Sequence, residues 1–221
     1  MKKITKSIDK ILEIIPGGIF GLLSVAIIVL GELIAFLLFP GYSFFKNMVS
    51  ELGAGPGAIF FNLSVLISGI IIIPYYLQLA KCFSGEKVKE HLRKFAFLVA
   101  IISCITYSLL GVFPSVKSDT IIYLTHGILA AVSIASGLGY LLLYSILMLR
   151  AQNFSKYQAY HGFIVAILYA TFLLIWIPIV EWVMNLAILS WITTNSLYIL
   201  YLTRKNKLIL YTKFVNNEEI R

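Results

Sequence analysis

Long apolar runs separated by short polar stretches dominate the chain. Six runs, residues 17–38, 58–80, 95–113, 121–149, 159–178 and 182–202, have lengths of 22, 23, 19, 29, 20 and 21 residues. A bilayer core about 30 Å thick needs about 20 mostly apolar residues as helix, so each run is long enough to cross it. None alternates with the two-residue period of a membrane β-strand, which leaves helix as the reading. The fourth run is the longest and must tilt or protrude. Only Ile179, Val180 and Glu181 separate Pro178 from the sixth run, so the last two spans form a tight hairpin. The pattern predicts an all-α, polytopic six-transmembrane helix bundle. A segment 1–16 precedes the membrane domain 17–202, and a polar tail 203–221 follows it.

Composition agrees with that pattern. Of the 221 residues 60% are hydrophobic and 13% charged. Soluble domains carry about 25% charge, so too few charges are present to cover a water-facing surface. An ordinary cytosolic enzyme, a disordered chain and a nucleic-acid-binding module are excluded on that ground. The net charge of +8 is explained by topology. Sixteen of the 18 Lys and Arg lie before the first run, between the second and third, between the fourth and fifth, and after the sixth; only Lys46 and Lys117 fall on the other side. The positive-inside rule then puts both termini in the cytoplasm, as an even number of crossings requires. The first run exceeds the roughly 7–15 apolar residues of a signal-peptide core, so it is read as a span. The expected setting is a cell membrane. The expected partners are its lipids and either another membrane protein or a second copy, with no nucleic acid.

Small and special residues suggest how the spans pack. Gly127, Ala131, Ala135 and Gly139 recur at four-residue spacing, with Ser133 and Gly137 alongside, which predicts a smooth seam and a central place for the fourth span. Gly17 and Gly21 repeat the pattern more weakly. Pro74 and Pro178 each remove a backbone donor and should kink or end their helices. Cys82 and Cys104 lie too far apart in depth for a disulfide, and no metal-ligand spacing is present.

Charged side chains inside a membrane cost a few kcal/mol, so each one asks for a role. Threading places Glu32 in the outer half of the first span and His126 roughly 9 Å below the outer end of the fourth. Asp119 lies just outside the fourth span and Glu181 in the outer hairpin, with Asn185 one turn further. Over Tyr42–Gly53, Phe44, Phe45, Met48, Val49 and Leu52 make an apolar stripe at helical spacing. That stripe predicts a short interfacial helix between the first two spans, ended by Gly53. Asn47, Ser50 and Glu51 would share its other face, with Glu51 in a last turn whose dipole disfavours an anion. The candidate ligand-binding set is therefore Asn47, Ser50, Glu51, Asp119, His126 and Glu181. Glu32 and His161 are expected as buried polar groups, His161 entering from the cytoplasmic side. No metal, cofactor or catalytic residue is assigned.

Asn47-Met-Val-Ser50-Glu51-Leu52-Gly53, then Ala58-Ile-Phe-Phe-Asn62 with Gly69, resembles the domain of unknown function 998 family. Gly111-Val-Phe-Pro114, His126 and Glu181-Trp182 extend the resemblance, which covers about residues 17–202. It implies a six-span prokaryotic membrane protein, often archaeal, distantly similar to eukaryotic proteins of the DRAM and Sfk type, some linked to lipid handling. It implies no chemistry. The residues favour a non-catalytic bundle that binds lipid or a small molecule, or an accessory subunit, with a polar pocket facing outward. One alternative is an intramembrane metal-dependent lipid hydrolase, which needs three protein ligands where the outer side offers only His126 beside acidic residues. The other is a small transporter or channel, hinted at by Glu32 and Pro74 but without an inverted repeat.

Overall fold

A computed structural model describes residues 11–83 and 89–218, with side chains to residue 205. Lys2, Lys3, Lys6, Lys10, Lys87 and the charged side chains beyond 205 lie outside the described residues. The elements are α1 (Gly17–Leu37), a 3-10 helix (Val49–Ala54), α2 (Ala58–Ile71), α3 (Ile73–Lys81), α4 (Glu90–Leu110), α5 (Thr120–Arg150), α6 (Lys156–Ile175) and α7 (Pro178–Glu218). No strand occurs among the described residues. Six of these stretches, α2 and α3 counted as one, are long and apolar enough to cross a membrane. Their outer faces carry exposed Leu30, Ile59, Ile121, Ile164 and Leu186. So large an apolar exterior has no place in water and suits lipid. The protein is a multi-pass membrane protein.

The spans close a ring. α1 packs on α2 and α3, α2 and α3 on α4, α4 on α5, α5 on α6, α6 on α7, and α7 returns to α1. At one end the start of α1 meets the end of α3 and the middle of α7, through bonds from the Gly17 amide to Gln78 and from Gln78 Nε2 to Thr203 Oγ1 at 3.3 Å. Lys81, Lys89, Arg93 and Lys94 lie at this end, as do Arg150 and Lys156. The opposite end carries the 3-10 helix, the 111–119 loop and the α6–α7 turn.

Close approach at the seams depends on glycine facing serine. A Cβ on Gly21 would overlap the Ser196 hydroxyl, one on Gly31 the Ser64 side chain, and one on Gly162 the Ser145 hydroxyl. Backbones brought this near trade large side-chain contacts for many van der Waals contacts, the usual means of helix association in lipid. The α5 seam expected at Gly127, Ala131, Ala135 and Gly139 is packed at Gly139, where a Cβ would lie 3.1 Å from Val99 Cγ1, and loose further along. A Cβ at Gly127 would meet nothing within 4 Å, and Ala135 is exposed. The buried face of α5 instead runs through His126, Ser133, Gly137, Tyr140 and Tyr144. Four-residue spacing alone does not say whether a stripe is covered by a neighbouring helix or left facing a hollow.

Other boundaries shift for local reasons. Pro74 breaks the second span at Ile72, as its missing N–H requires. Pro178 does not end the fifth span; it opens α7, where a first-turn proline costs no bond. The turn between them is Trp176, in left-handed conformation at φ 48°, and Ile177. The expected helix over 42–53 is also corrected. Turns occupy 43–46, and only Val49–Ala54 is helical, as a 3-10 segment that includes Gly53. Val49 and Leu52 are buried while Phe44 and Phe45 are exposed, so one face could not bury the whole stripe. Finally, α7 continues for 41 residues, well past the about 20 that one crossing uses.

Candidate functional site

The turn at Trp176–Ile177 sets Glu181 in the first turn of α7, where the helix dipole favours a carboxylate. From there Glu181 Oε2 accepts the Val49 amide at 2.8 Å, tying the 3-10 helix across the bundle end. One turn along α7, Asn185 Nδ2 donates to Glu32 Oε1 at 2.9 Å. Glu32 is buried on α1, so this bond joins the first and last spans around a membrane-embedded carboxyl. Trp182, between them, donates to the Tyr42 hydroxyl at 3.1 Å, and that hydroxyl donates to the Met48 carbonyl at 2.7 Å. Burial pushes the Tyr42 hydroxyl far above its usual pKa, keeping it a neutral donor. Phe44 packs edge-on against Trp182 at 4.8 Å and stacks on Phe36 at 5.0 Å. Asn62 Nδ2 donates to the Gly53 carbonyl at 2.9 Å and fastens the far end of the 3-10 helix. The segment is a lid held at both ends.

Glu51 lies on this lid. Its Oε1 is 2.7 Å from Lys117 Nζ, on the 111–119 loop, and its Oε2 accepts from Asn47 Nδ2 at 2.8 Å. Partial burial raises its pKa, but the Lys117 and Asn47 bonds outweigh that and hold it below the ordinary carboxylate value. Lys117 is held above its ordinary value by the same bond. The expected last-turn position of Glu51 is corrected: it sits in the first turn of the 3-10 helix, and its partner is the lysine.

Beneath the lid is a cavity of about 880 Å³ to which all six spans contribute. Its deep wall includes Tyr140, Tyr169, Phe172, Ile188 and Ile192, and its lid end includes Glu32, Ser50, Glu51, His126, Glu181 and Asn185. The wall is mostly apolar, the character of a site for a small organic molecule. His126 Nδ1 is 2.8 Å from the Phe113 carbonyl, which fixes that nitrogen as the donor.

The expected site residues are not all together. Ser50, Glu51, His126 and Glu181 line the cavity. Asn47 does not; it braces Glu51 from the lid. Asp119 does not either, because it caps α5 by accepting the Ile121 and Ile122 amides at 3.0 and 3.1 Å. His161 is half-buried rather than buried, and it pairs with Ser190 Oγ at 3.0 Å on the α6–α7 face. Asn185 and Lys117 belong with the site although neither was expected as a member. Their signal was positional: Asn185 is one turn from Glu181, and Lys117 is one of two lysines outside the basic segments. Among the described residues no group of three His, Cys, Asp or Glu could hold a metal ion.

No curated protein and no solved structure matches the chain. A family match covers residues 22–198, from the first turns of α1 to within α7, and so takes in both the lid and the cavity. By that match the chain belongs to the family described as "Protein of unknown function (DUF998)".

Proposed function

We propose that the protein is a non-catalytic membrane module that holds a lipid or a lipid-sized small molecule in the cavity under the lid. The cavity carries this reading: about 880 Å³ falls in the range of about 300–1,000 Å³ typical of ligand pockets. Its apolar depth and polar lid end match an amphiphile lying along the bundle axis. No side chain at the lid end is set as an activated nucleophile: the hydroxyl of Ser50 has no general base bonded to it among the described residues, and His126 is turned to a backbone carbonyl.

Native mass spectrometry from mild detergent tests this. The wild-type protein should retain a bound mass that Gly127→Leu with Ala131→Phe, which fills the cavity, releases. Equal retention by the filled variant, still monodisperse, would count against the cavity as the site. The reading further puts the basic end in the cytoplasm, so that the lid faces outward. Cysteines introduced at residues 51 and 89 should then label from opposite sides.

A further inference from the structure

Hydrogen-bonding capacity at the lid end is lopsided. Glu181 takes the Val49 amide, with the Ser50 amide alongside, and Glu32 takes one N–H from Asn185. A carboxylate offers about four lone-pair sites, so both have capacity to spare. Neither forms an ion pair among the described residues; of the two lysines that line the cavity, Lys117 is committed to Glu51 and Lys46 is exposed at its rim. Glu32 and Glu181 line the same end of the cavity, one turn of α7 separating Glu181 from the Asn185 that bonds Glu32. His126, only 8% exposed, adds an independent observation. With Nδ1 donating to Phe113, the neutral ring presents Nε2 as an acceptor, and Nε2 has no bond among the described residues. All three residues line the cavity, where a ligand's donors can reach these acceptors.

We propose that the lid end of the cavity binds the primary ammonium of an amphiphile, whose three N–H groups meet Glu32, Glu181 and His126 Nε2. The tail then runs past Phe172 and Ile188 toward Tyr140. This deepens the ligand-binding reading and rests on it. An ammonium carries three donors and one positive charge, which matches the three acceptors, two of them carboxyl groups. A carboxylate head would be repelled, an alcohol supplies one donor, and a quaternary ammonium none. The same head chemistry occurs on a free long-chain amine and on an aminophospholipid.

The purified protein in non-ionic detergent is titrated with dodecylamine, dodecanol, dodecanoate and dodecyltrimethylammonium, following Trp fluorescence, since Trp176 lines the cavity. Dodecylamine should bind about tenfold or more tightly than each of the others, the worth of one hydrogen bond to a charged group. Glu32→Gln and Glu181→Gln should each erase about that factor for the amine and so bring it level with dodecanol; the glutamine oxygen can still accept the Val49 amide. Dodecanoate or the quaternary amine binding as tightly as dodecylamine would overturn the head-group assignment and leave the cavity standing. Failure of all four to bind would remove the cavity reading and this inference together. The wild-type series needs no variant, so a misfolded variant does not weaken the test. Retention of an aminophospholipid over its N-trimethyl counterpart in mixed micelles would identify the lipid source. Retention of dodecylamine alone would identify the free amine.

Discussion

The two ends of the bundle are built from the same six spans and packed in opposite ways. At the basic end Tyr75, Tyr76, Phe83, Tyr144, Phe154 and Trp191 form a continuous aromatic core. Phe83 and Phe154 stack at 4.7 Å, Tyr76 meets Tyr140 at 5.1 Å, and Tyr144 donates to the Tyr76 carbonyl at 3.3 Å. At the other end the same helices part around an open volume roofed by a short 3-10 segment. α5 shows the change along one helix: Tyr140 and Tyr144 fill the ring where Gly127 and Ala131 leave it open. In lipid no water-exclusion force drives helices together, so a hollow persists wherever side chains are too small to fill it. Packing is thus concentrated at one end and open volume at the other.

Breaking the packed end should cost most. Trp191 is fully buried between Tyr140 and Tyr144, and Trp191→Ala should destabilise by about 3–5 kcal/mol, seen as a lower unfolding midpoint in detergent. Its Nε1 has no partner among the described residues, so Trp191→Phe should cost far less. Next comes the glycine contrast. Gly21→Ala drives a methyl into Ser196 and Tyr75 and should cost about 1–3 kcal/mol. Gly127→Ala faces open space and should be neutral or stabilise by about 0.5–1 kcal/mol, the ordinary helical gain. Equal costs at the two positions would mean that the hollow closes in the membrane.

That contrast also marks how far the sequence could be read. Span number and approximate limits were legible because hydropathy and length are properties of each run alone. α4 begins at Glu90 rather than at residue 95 because Glu90, Arg93 and Lys94 satisfy one another within the first turns, at 2.7 and 3.2 Å, and extend the helix through polar residues. How closely a stripe of small residues is packed was not legible, because all faces of such a helix are apolar; hence the α5 seam was overvalued at Gly127, which opens on the cavity, and the Gly21 contact undervalued. The lid was legible as a segment but not as a conformation. Its fold depends on Glu181 and Lys117, which are distant in sequence. The clustering of acids at one end followed from threading alone, whereas Asp119 turned out to serve its own helix terminus.

A smaller effect is expected where the hollow end is held shut from inside. Asn185→Leu removes the donor to Glu32 and leaves a buried carboxyl without it, at about 1–3 kcal/mol. Glu32→Gln in that background should recover part of the loss, because an amide is cheaper to strand than a carboxylate. Additive losses in the double variant would show that the two side chains do not act as a pair.

The smallest effect belongs to the tie between lid and loop. Glu51 and Lys117 are partly exposed, and such a pair contributes about 0.2–1 kcal/mol. Lys117→Ala should therefore leave the unfolding midpoint nearly unchanged and act on the lid, raising the rate at which a cysteine placed at half-buried Ser50 is labelled. The pH dependence has a definite sign. Glu51 sits below its ordinary pKa, so its contribution is complete above the ordinary carboxylate range and is lost as pH falls through the lowered value. Lys117 sits above its ordinary pKa, so its contribution is complete below the ordinary lysine value and is lost as pH rises through the raised one. Labelling at residue 50 should therefore be slowest across the neutral range and quicken toward both acid and strong base. High salt should quicken it at neutral pH, since an exposed pair is screened. In Lys117→Ala the alkaline rise should vanish, once the rate is corrected for thiolate formation, while part of the acid rise survives through Asn47, which still donates to Glu51. A profile identical to wild type would mean that the lid is held by Glu181, Tyr42 and Asn62 alone.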